Sequence, residues 1–332
     1  MAKTTPIPQQ LDLTIILEWE NVLLSGNERC LKMLQNLGRQ IEESLRTIEI
    51  LVCYNPSQIA ASQIETILSD HLALNLTRDE KKISLQLCAA EDEHYFALKN
   101  KGANLANGDI ILYIDSDVIP EGNWLAEISE PFFTNPKVDV LAGNTYLSFQ
   151  TLREKAFAVG WFFPLRNPNN TCHANATHFF ANNVAFRKKT ILDHPFPPMP
   201  EGCTRGSCFA LARQLIKANI PIWHNSAARA DHPAPTNLKH TIIRAFAEGR
   251  DYLLNRGHAK SSTSSVLTVI LWSLRKQAGV CLKIKDRRKQ AGLSSLQAML
   301  AICIMTVYYQ LAAIGGILTS LFPKYARSQW RI

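Results

Sequence analysis

Four short apolar runs, separated by stretches of helical periodicity, occupy residues 11–118. The runs are Leu13–Leu17 (LTIIL), Ile48–Cys53 (IEILVC), Ile83–Cys88 (ISLQLC) and Ile110–Ile114 (IILYI). Between them, Glu28–Leu45, Gln58–Leu72 and Tyr95–Asn107 read as helices, the last with Gly108 as its stop signal. Strands joined through helices do not pair as hairpins; they predict a mostly parallel sheet with helices on both faces. Ligands of such sheets bind beyond the carboxyl ends of the strands. The polar residues placed there are Glu18, Glu20, Asn55, Asp115 and Asp117. The middle, residues 120–235, is richer in Pro, Asn and aromatics, with loops expected over Trp161–Asn169 and Pro195–Gly206 before a helix at Phe209–Ala218.

The formal charge of +8 is unevenly placed. Residues 1–235 carry a net −4 and residues 236–332 a net +12. A nucleic-acid footprint would not leave the larger part of the chain acidic, so no nucleic-acid partner is expected. The basic residues border apolar sequence, which points to an anionic membrane surface. No charged residue occurs from Gln290 to Pro323, and Leu293–Phe322 reaches ~45 Å as a helix against ~30 Å of hydrocarbon. A transmembrane helix is expected over 291–323, with a re-entrant hairpin as the alternative and a basic tail at 324–332. Val266–Ile284 is apolar on one helical face but carries Arg275 and Lys276. Spanning would bury both at roughly 2.5–3.5 kcal/mol each, so an interfacial amphipathic helix is favoured within 236–290. The cluster Lys283, Lys285, Arg287, Arg288 and Lys289 then marks the cytoplasmic side. The segment MAKTTPIPQQ lacks the apolar core of a secretory signal. Eight scattered cysteines without a C-x-x-C pair read as reduced, mostly buried thiols.

Asp115 and Asp117 stand one residue apart directly after IILYI. From an extended turn, both carboxylates can meet one divalent cation or its bound phosphates. The bland alternative is a strand-end turn.

The run YFALKNKGANLANGDIILYIDSDVIPEGNWL resembles family-two glycosyltransferases of GT-A fold. The matching elements are Lys99, Asn100, Gly102, Ala106, Gly108, Asp109, Asp115, Asp117, Trp124 and Leu125. FFANNVAFRKKTI resembles the family's acceptor-side segment, here Asn182, Asn183, Ala185, Phe186 and Arg187, and ALARQLIKANIPIWHNSAARADHPAP resembles the elements that close the site. The resemblance covers about residues 11–235. It implies a GT-A, Rossmann-like, mostly parallel sheet with a nucleotide-sugar half at 1–118 and an acceptor half at 119–235. It further implies a nucleotide-diphospho-sugar donor and a Mg or Mn cofactor held by Asp115, Asp117 and His232. Ser116, Lys99 and Asn100 fall on the donor side, and Asp117 carries the electrostatic part of catalysis by holding the metal and diphosphate.

Three departures stand out. Glu18-Trp19-Glu20 replaces the family's Thr-Tyr-Asn, and Asn55 replaces the Asp that reads the base. Ser207-Cys208 replaces the Glu-Asp pair whose carboxylate deprotonates the acceptor. Glu201 is the favoured substitute base, with Asp193 second; a phosphate acceptor would need little deprotonation. Arg205, in the same loop, suits a phosphate or carboxylate, with a surface-loop arginine as the alternative. Lys239, His240, Arg244, Arg250 and Arg256 form a basic face that fits anionic headgroups, a polyprenyl phosphate or general membrane adhesion. The expected function is a membrane-anchored, metal-dependent glycosyltransferase with a cytoplasmic catalytic domain and a lipid-linked or glycan acceptor. The alternative is an inactive donor-binding or scaffold subunit at the membrane.

Overall fold

The computed structural model describes residues 11–22, 26–72, 83–91, 95–257, 263–328 and 330. The MAKTTPIPQQ segment and the final residues of the basic tail lie outside them. The first half follows the predicted alternation: β1 (Leu13–Glu18), α1 (Asn27–Glu43), β2 (Ile48–Tyr54), α2 (Ala61–His71), β3 (Ile83–Ala89), α3 (Tyr95–Leu105) and β4 (Ile110–Asp115). β1, β2 and β4 are buried at every position, as strands covered on both faces must be. β5 (Ile119–Pro120), α4 (Trp124–Thr134), β6 (Val140–Tyr146), α5 (Leu152–Gly160), β7 (Cys172–His173), β8 (Asn183–Arg187), α6 (Lys188–Asp193), α7 (Ser207–Lys217) and β9 (Ile222–Asp231) complete the α/β part.

The sheet runs β3-β2-β1-β4-β8-β6-β9-β5, with β7 on β9. The pairs β3–β2, β2–β1 and β1–β4 are parallel. β8 enters antiparallel between β4 and β6, while β6 and β9 are again parallel. Two cores flank it. One packs Leu34, Leu37 and Trp124 from α1 and α4 against the strands; the other packs Leu98, Phe186, Phe196 and Leu211 on the opposite face. Gly108 is not a helix cap, because α3 ends at Leu105 and Gly108 has no left-handed φ. A Cβ there would lie 2.5 Å from the Leu13 carbonyl carbon, so glycine is required by the close approach to β1.

The described part of the tail is built of helices. α8 (Leu238–Leu254), α9 (Thr263–Arg287), α10 (Ser295–Leu321) and α11 (Pro323–Ser328) pack as a helical layer with α5. A third core joins Phe157, Trp161 and Phe163 of the α/β part to Trp272, Met305, Tyr308 and Tyr309 of the tail. Among the described residues α10 alone is long and apolar enough to cross a membrane. Yet one of its faces, including Ala301, Met305, Tyr308 and Ala312, is buried against protein. The basic cluster is also partly engaged: Lys283 donates to the Trp161 carbonyl at 2.7 Å and Arg287 to that of Phe163 at 3.3 Å. Arg250, expected on a basic face, is fully buried and donates through Nε to Asp251 Oδ1 at 2.8 Å.

α8 and α10 approach at glycines. A Cβ on Gly249 would stand 1.7 Å from the Ala312 carbonyl oxygen, and one on Gly315 2.4 Å from Phe246 Cα. Both neighbours are backbone and cannot rotate away. Gly249→Leu is expected to detach α10, lowering the Tm and opening 295–321 to limited proteolysis while 11–235 stays protected.

Candidate active site

The parallel strands deliver their carboxyl ends to one edge, where Glu18 of β1 and Asp115 of β4 are register partners. Asp115 is engaged on both oxygens. Lys99 Nζ donates to Oδ1 at 2.6 Å, and Oδ2 accepts from the Tyr95 hydroxyl at 2.7 Å and Asn21 Nδ2 at 3.2 Å. Lys99 is thus neither a solvated helix residue nor directed at a nucleotide; it answers Asp115 from the interior. Glu18 accepts from the Glu20 amide and from Asn21 Nδ2, the latter at 2.8 Å. Burial, and then the neighbouring Asp115, push the Glu18 carboxyl well up. Glu20 accepts from the Tyr95 amide at 2.9 Å and so caps α3.

Asp117 differs. Its Oδ1 is buried and has no partner among the described residues, and the Ser116 hydroxyl is likewise orphaned. Burial and Asp115 raise the Asp117 carboxyl to about 7, while Arg29 and Arg244 pull it down. Arg29, a residue the sequence reading missed, fixes its surroundings. Its Nε donates to the Asp117 carbonyl at 2.6 Å, and its Nη2 bonds the Asp231 carbonyl and pairs with Asp231 Oδ2 at 3.1 Å. The Asp-Ser-Asp turn and the end of β9 are therefore tied by one guanidinium. His232 follows Asp231. Its Nδ1 lies 2.8 Å from the Pro233 carbonyl, an obligate acceptor, so Nδ1 carries the proton and Nε2 keeps its lone pair. Burial, then Arg244, holds the ring well below the usual histidine range, and Phe163 packs against it with centroids 4.7 Å apart.

Several expected site residues have other work. Asn100 exchanges two hydrogen bonds with Phe196, Nδ2 to the carbonyl at 2.9 Å and the amide to Oδ1 at 3.0 Å, which ties α3 to the 195–206 loop. Asn55 Oδ1 accepts from the Ser57 amide and hydroxyl, forming an Asx turn. Asn183 accepts from Trp124 Nε1 at 2.8 Å and donates to the Ala228 carbonyl at 3.0 Å, a strut inside the sheet rather than an acceptor contact. Asn182 accepts from the Thr145 hydroxyl at 3.1 Å. Ser207 donates to the Pro197 carbonyl, and burial lifts the Cys208 thiol to about 12. Neither can take a proton at neutral pH. Glu201 sits on an exposed turn, and Asp193 is exposed and paired with Lys189.

The loop carrying Arg205 is bolted to α8. Thr204 donates through its hydroxyl to Asp251 Oδ2 at 3.0 Å, and Asn255 Nδ2 donates to the Arg205 carbonyl at 2.9 Å. Both Nη atoms of Arg205 are buried without a partner among the described residues. On α8, Arg244 lies over the Trp161 ring at 5.3 Å, and burial together with Arg205 lowers it to about 9. Glu248 Oε2 accepts from Tyr308 at 2.8 Å and Trp161 Nε1 at 3.2 Å, so the tail helix reaches the site's wall.

Among the described residues no three His, Cys, Asp or Glu side chains are grouped to hold a metal. Asp117 Oδ1 and His232 Nε2 nonetheless fit a cation whose other ligands come from phosphate and water, as Mg and Mn sites often require. Because the folded Asp117 titrates near 7 and the unfolded one near 3.8, its charge destabilises the native state above pH 7, and that penalty fades as pH falls toward 4. Asp117→Asn is therefore expected to raise the Tm at pH 8 and to lose most of that advantage at pH 5, measured by thermal melts across pH.

Residues 87–194 match the model for glycosyl transferase family 2. A curated relative, the glucosyl-dolichyl phosphate glucuronosyltransferase of Haloferax volcanii, is 20% identical over 246 residues, covering 70% of this chain and 77% of that protein. Among solved structures, the mannosyltransferase PcManGT of Pyrobaculum calidifontis, in complex with GDP-Man and Mn2+, superposes with a TM-score of 0.54 at 11% identity, over 97% of this chain and 90% of that one. The matched segment contains Lys99, Asp115 and Asp117, and the structural likeness extends through the tail helices. The chain is a glycosyltransferase on a GT-A fold, with residues 87–194 matching glycosyl transferase family 2.

Proposed function

We propose that the protein transfers a sugar from a nucleotide-diphosphate donor to a lipid-linked acceptor at a membrane surface, with Mg or Mn as cofactor. One observation carries the reading: Asp117 Oδ1 is buried without a partner among the described residues, and Arg29 ties its turn to Asp231, whose neighbour His232 keeps a neutral ring with the Nε2 lone pair free of the proton. Asp117 and His232 would hold the cation, and Asp115, engaged by Lys99, would orient the turn from behind. When bound, the cation supplies charge that neutralises the departing diphosphate. The name of the Haloferax relative, a glucosyl-dolichyl phosphate glucuronosyltransferase, supports a lipid-linked acceptor, and the GDP-Man and Mn2+ in the Pyrobaculum complex support a sugar nucleotide with a divalent metal.

The membrane part rests on the helical layer. Leu267, Leu271 and Leu274 of α9 and Leu296, Met299 and Val307 of α10 are exposed on its outer side. The inner face of α10 packs on α8, which carries Glu248, Arg250 and Asp251. Crossing the bilayer would draw these charges into hydrocarbon at roughly 2.5–3.5 kcal/mol each, so both helices lie along the surface. An inactive scaffold is the second reading, favoured by the neutral Ser207–Cys208 pair.

Sugar-nucleotide turnover separates the two readings. Full-length protein in detergent is expected to consume one of a panel of nucleotide sugars only with Mn or Mg, and Asp117→Ala or His232→Ala should each lose about a hundredfold or more. No turnover with any donor sinks the enzyme reading. Leu271→Asp with Leu274→Asp should abolish flotation with anionic vesicles and leave turnover in detergent intact.

A further inference from the structure

Resting on the metal reading of His232 above, we propose that Arg153 is a positioning residue: it fixes the segment that aims the His232 ring, and through that ring it sets the affinity for the cation. His232 is oriented from behind. Its Nδ1 donates to the Pro233 carbonyl at 2.8 Å, so the direction of that carbonyl decides the direction of Nε2. The carbonyl belongs to the stretch His232-Pro233-Ala234-Pro235-Thr236. Proline has no backbone N–H, so two of these five residues cannot tie the stretch down as donors. Its carbonyls then carry more of the anchoring, and they need donors from another element. Arg153 supplies them. Its Nη1 donates to the Pro235 carbonyl at 2.6 Å and its Nη2 to that of Thr236 at 3.1 Å. A planar guanidinium reaches two successive carbonyls in one fixed geometry, which a lysine ammonium does not.

The other end of the stretch is held to the sheet. Arg29 Nη2 bonds the Asp231 carbonyl, the Asp231 carboxylate accepts from the Ser148 amide at 2.8 Å and hydroxyl at 2.7 Å, and the His232 amide donates to the Tyr146 carbonyl at 2.8 Å. His232 therefore lies between two pinned points, one on the strands and one on α5. Between them the stretch borders a cavity of about 280 Å³ whose lining includes Arg29, Phe149, Arg153, Pro233 and Thr236, so packing alone does not wedge it in place. Thr236 Oγ1 also lies 3.2 Å from His240 Nδ1, a contact of hydroxyl and imidazole that is weaker than the two charge-assisted bonds from Arg153.

Arg153 is itself firmly based. Thr151 and Glu154 cap the first turn of α5 reciprocally: Thr151 Oγ1 accepts from the Glu154 amide at 3.3 Å, and Glu154 Oε2 from the Thr151 amide at 2.9 Å. The far end of the helix is seated in the third core, where a Cβ on Gly160 would stand 2.7 Å from Met305 Cγ of α10. An element fixed at both ends thus carries its rigidity, through one side chain, to the backbone behind His232.

Mn2+ binding can be read from the loss of the free-ion EPR signal, with the full chain in detergent and GDP or UDP supplied in separate titrations. Arg153→Met, which keeps the stem and removes the fork, is expected to weaken Mn2+ about tenfold or more, with Arg153→Lys falling between it and the wild type. Amide exchange followed by mass spectrometry is the second readout. Peptides covering 231–236 should exchange faster in Arg153→Met, while β1, β4 and the Asp115–Asp117 turn keep wild-type protection. Unchanged exchange over 231–236 refutes the clamp. Faster exchange there with unaltered Mn2+ affinity makes Arg153 merely structural, and protection lost across the whole sheet does the same; either overturns the proposal. Failure of the underlying metal reading looks different: His232→Ala binds Mn2+ as the wild type does, and the proposal falls with it whatever the exchange shows.

Discussion

Glu18 and Asp115 are register partners at the ends of β1 and β4, Asp117 follows in the turn, and one buried lysine meets Asp115 directly. Lys99 binds Asp115, with Tyr95 and Asn21 completing its shell. Glu18 is pushed up by burial and by Asp115, and it is bonded locally. That leaves Asp117, whose Oδ1 no protein group answers among the described residues. Buried charge without a partner is expensive and is retained where a ligand is meant to complete it. The rest of the architecture follows from that imbalance. Arg29 holds the Asp117 backbone without neutralising its free oxygen, and the same guanidinium brings the end of β9, and with it His232, to the turn.

The helical layer is the second structural element on which the site depends. Tyr308 and Glu248 join it to Trp161, and its third core is continuous with Trp161 and Phe163. A tail that merely anchored the enzyme would have no reason to reach the wall of the site. The glycine contacts between α8 and α10 show how close that union is, since backbone meets backbone there. The outer apolar face and the inner face packed on the α/β part thus belong to the same helices. A lipid-borne substrate at the bilayer surface would meet the site without travelling far.

The strands, their parallel order and the carboxyl-edge cluster were legible in the sequence because each is local: an apolar run, a helical period, a polar residue after a strand. What was not legible depends on partners distant in the chain. Arg29 reads as one more helix cation, yet it contacts Asp231, two hundred positions away in sequence. Lys99 and Asn100 are adjacent and carry the same motif, but one turns inward to Asp115 and the other grips Phe196. Asn183 shows the same limit, since its amide ties Trp124 to β9 rather than facing an acceptor. The tail's hydropathy showed that it is apolar, and its packed inner face came from tertiary contact alone. Gly108 was read as a cap because a missing Cβ has two uses, and sequence does not distinguish a turn from a close approach.

The central claim is that the cation and diphosphate are held at Asp117 and His232, with Asp115 engaged behind by Lys99. Anomalous diffraction from crystals grown with Mn2+ and a nucleoside diphosphate tests it directly. The account predicts a single manganese peak within bonding distance of Asp117 Oδ1 and His232 Nε2, with the Lys99–Asp115 pair intact. A peak centred on Asp115 with Lys99 displaced, or nucleotide bound at this edge without manganese, would contradict it.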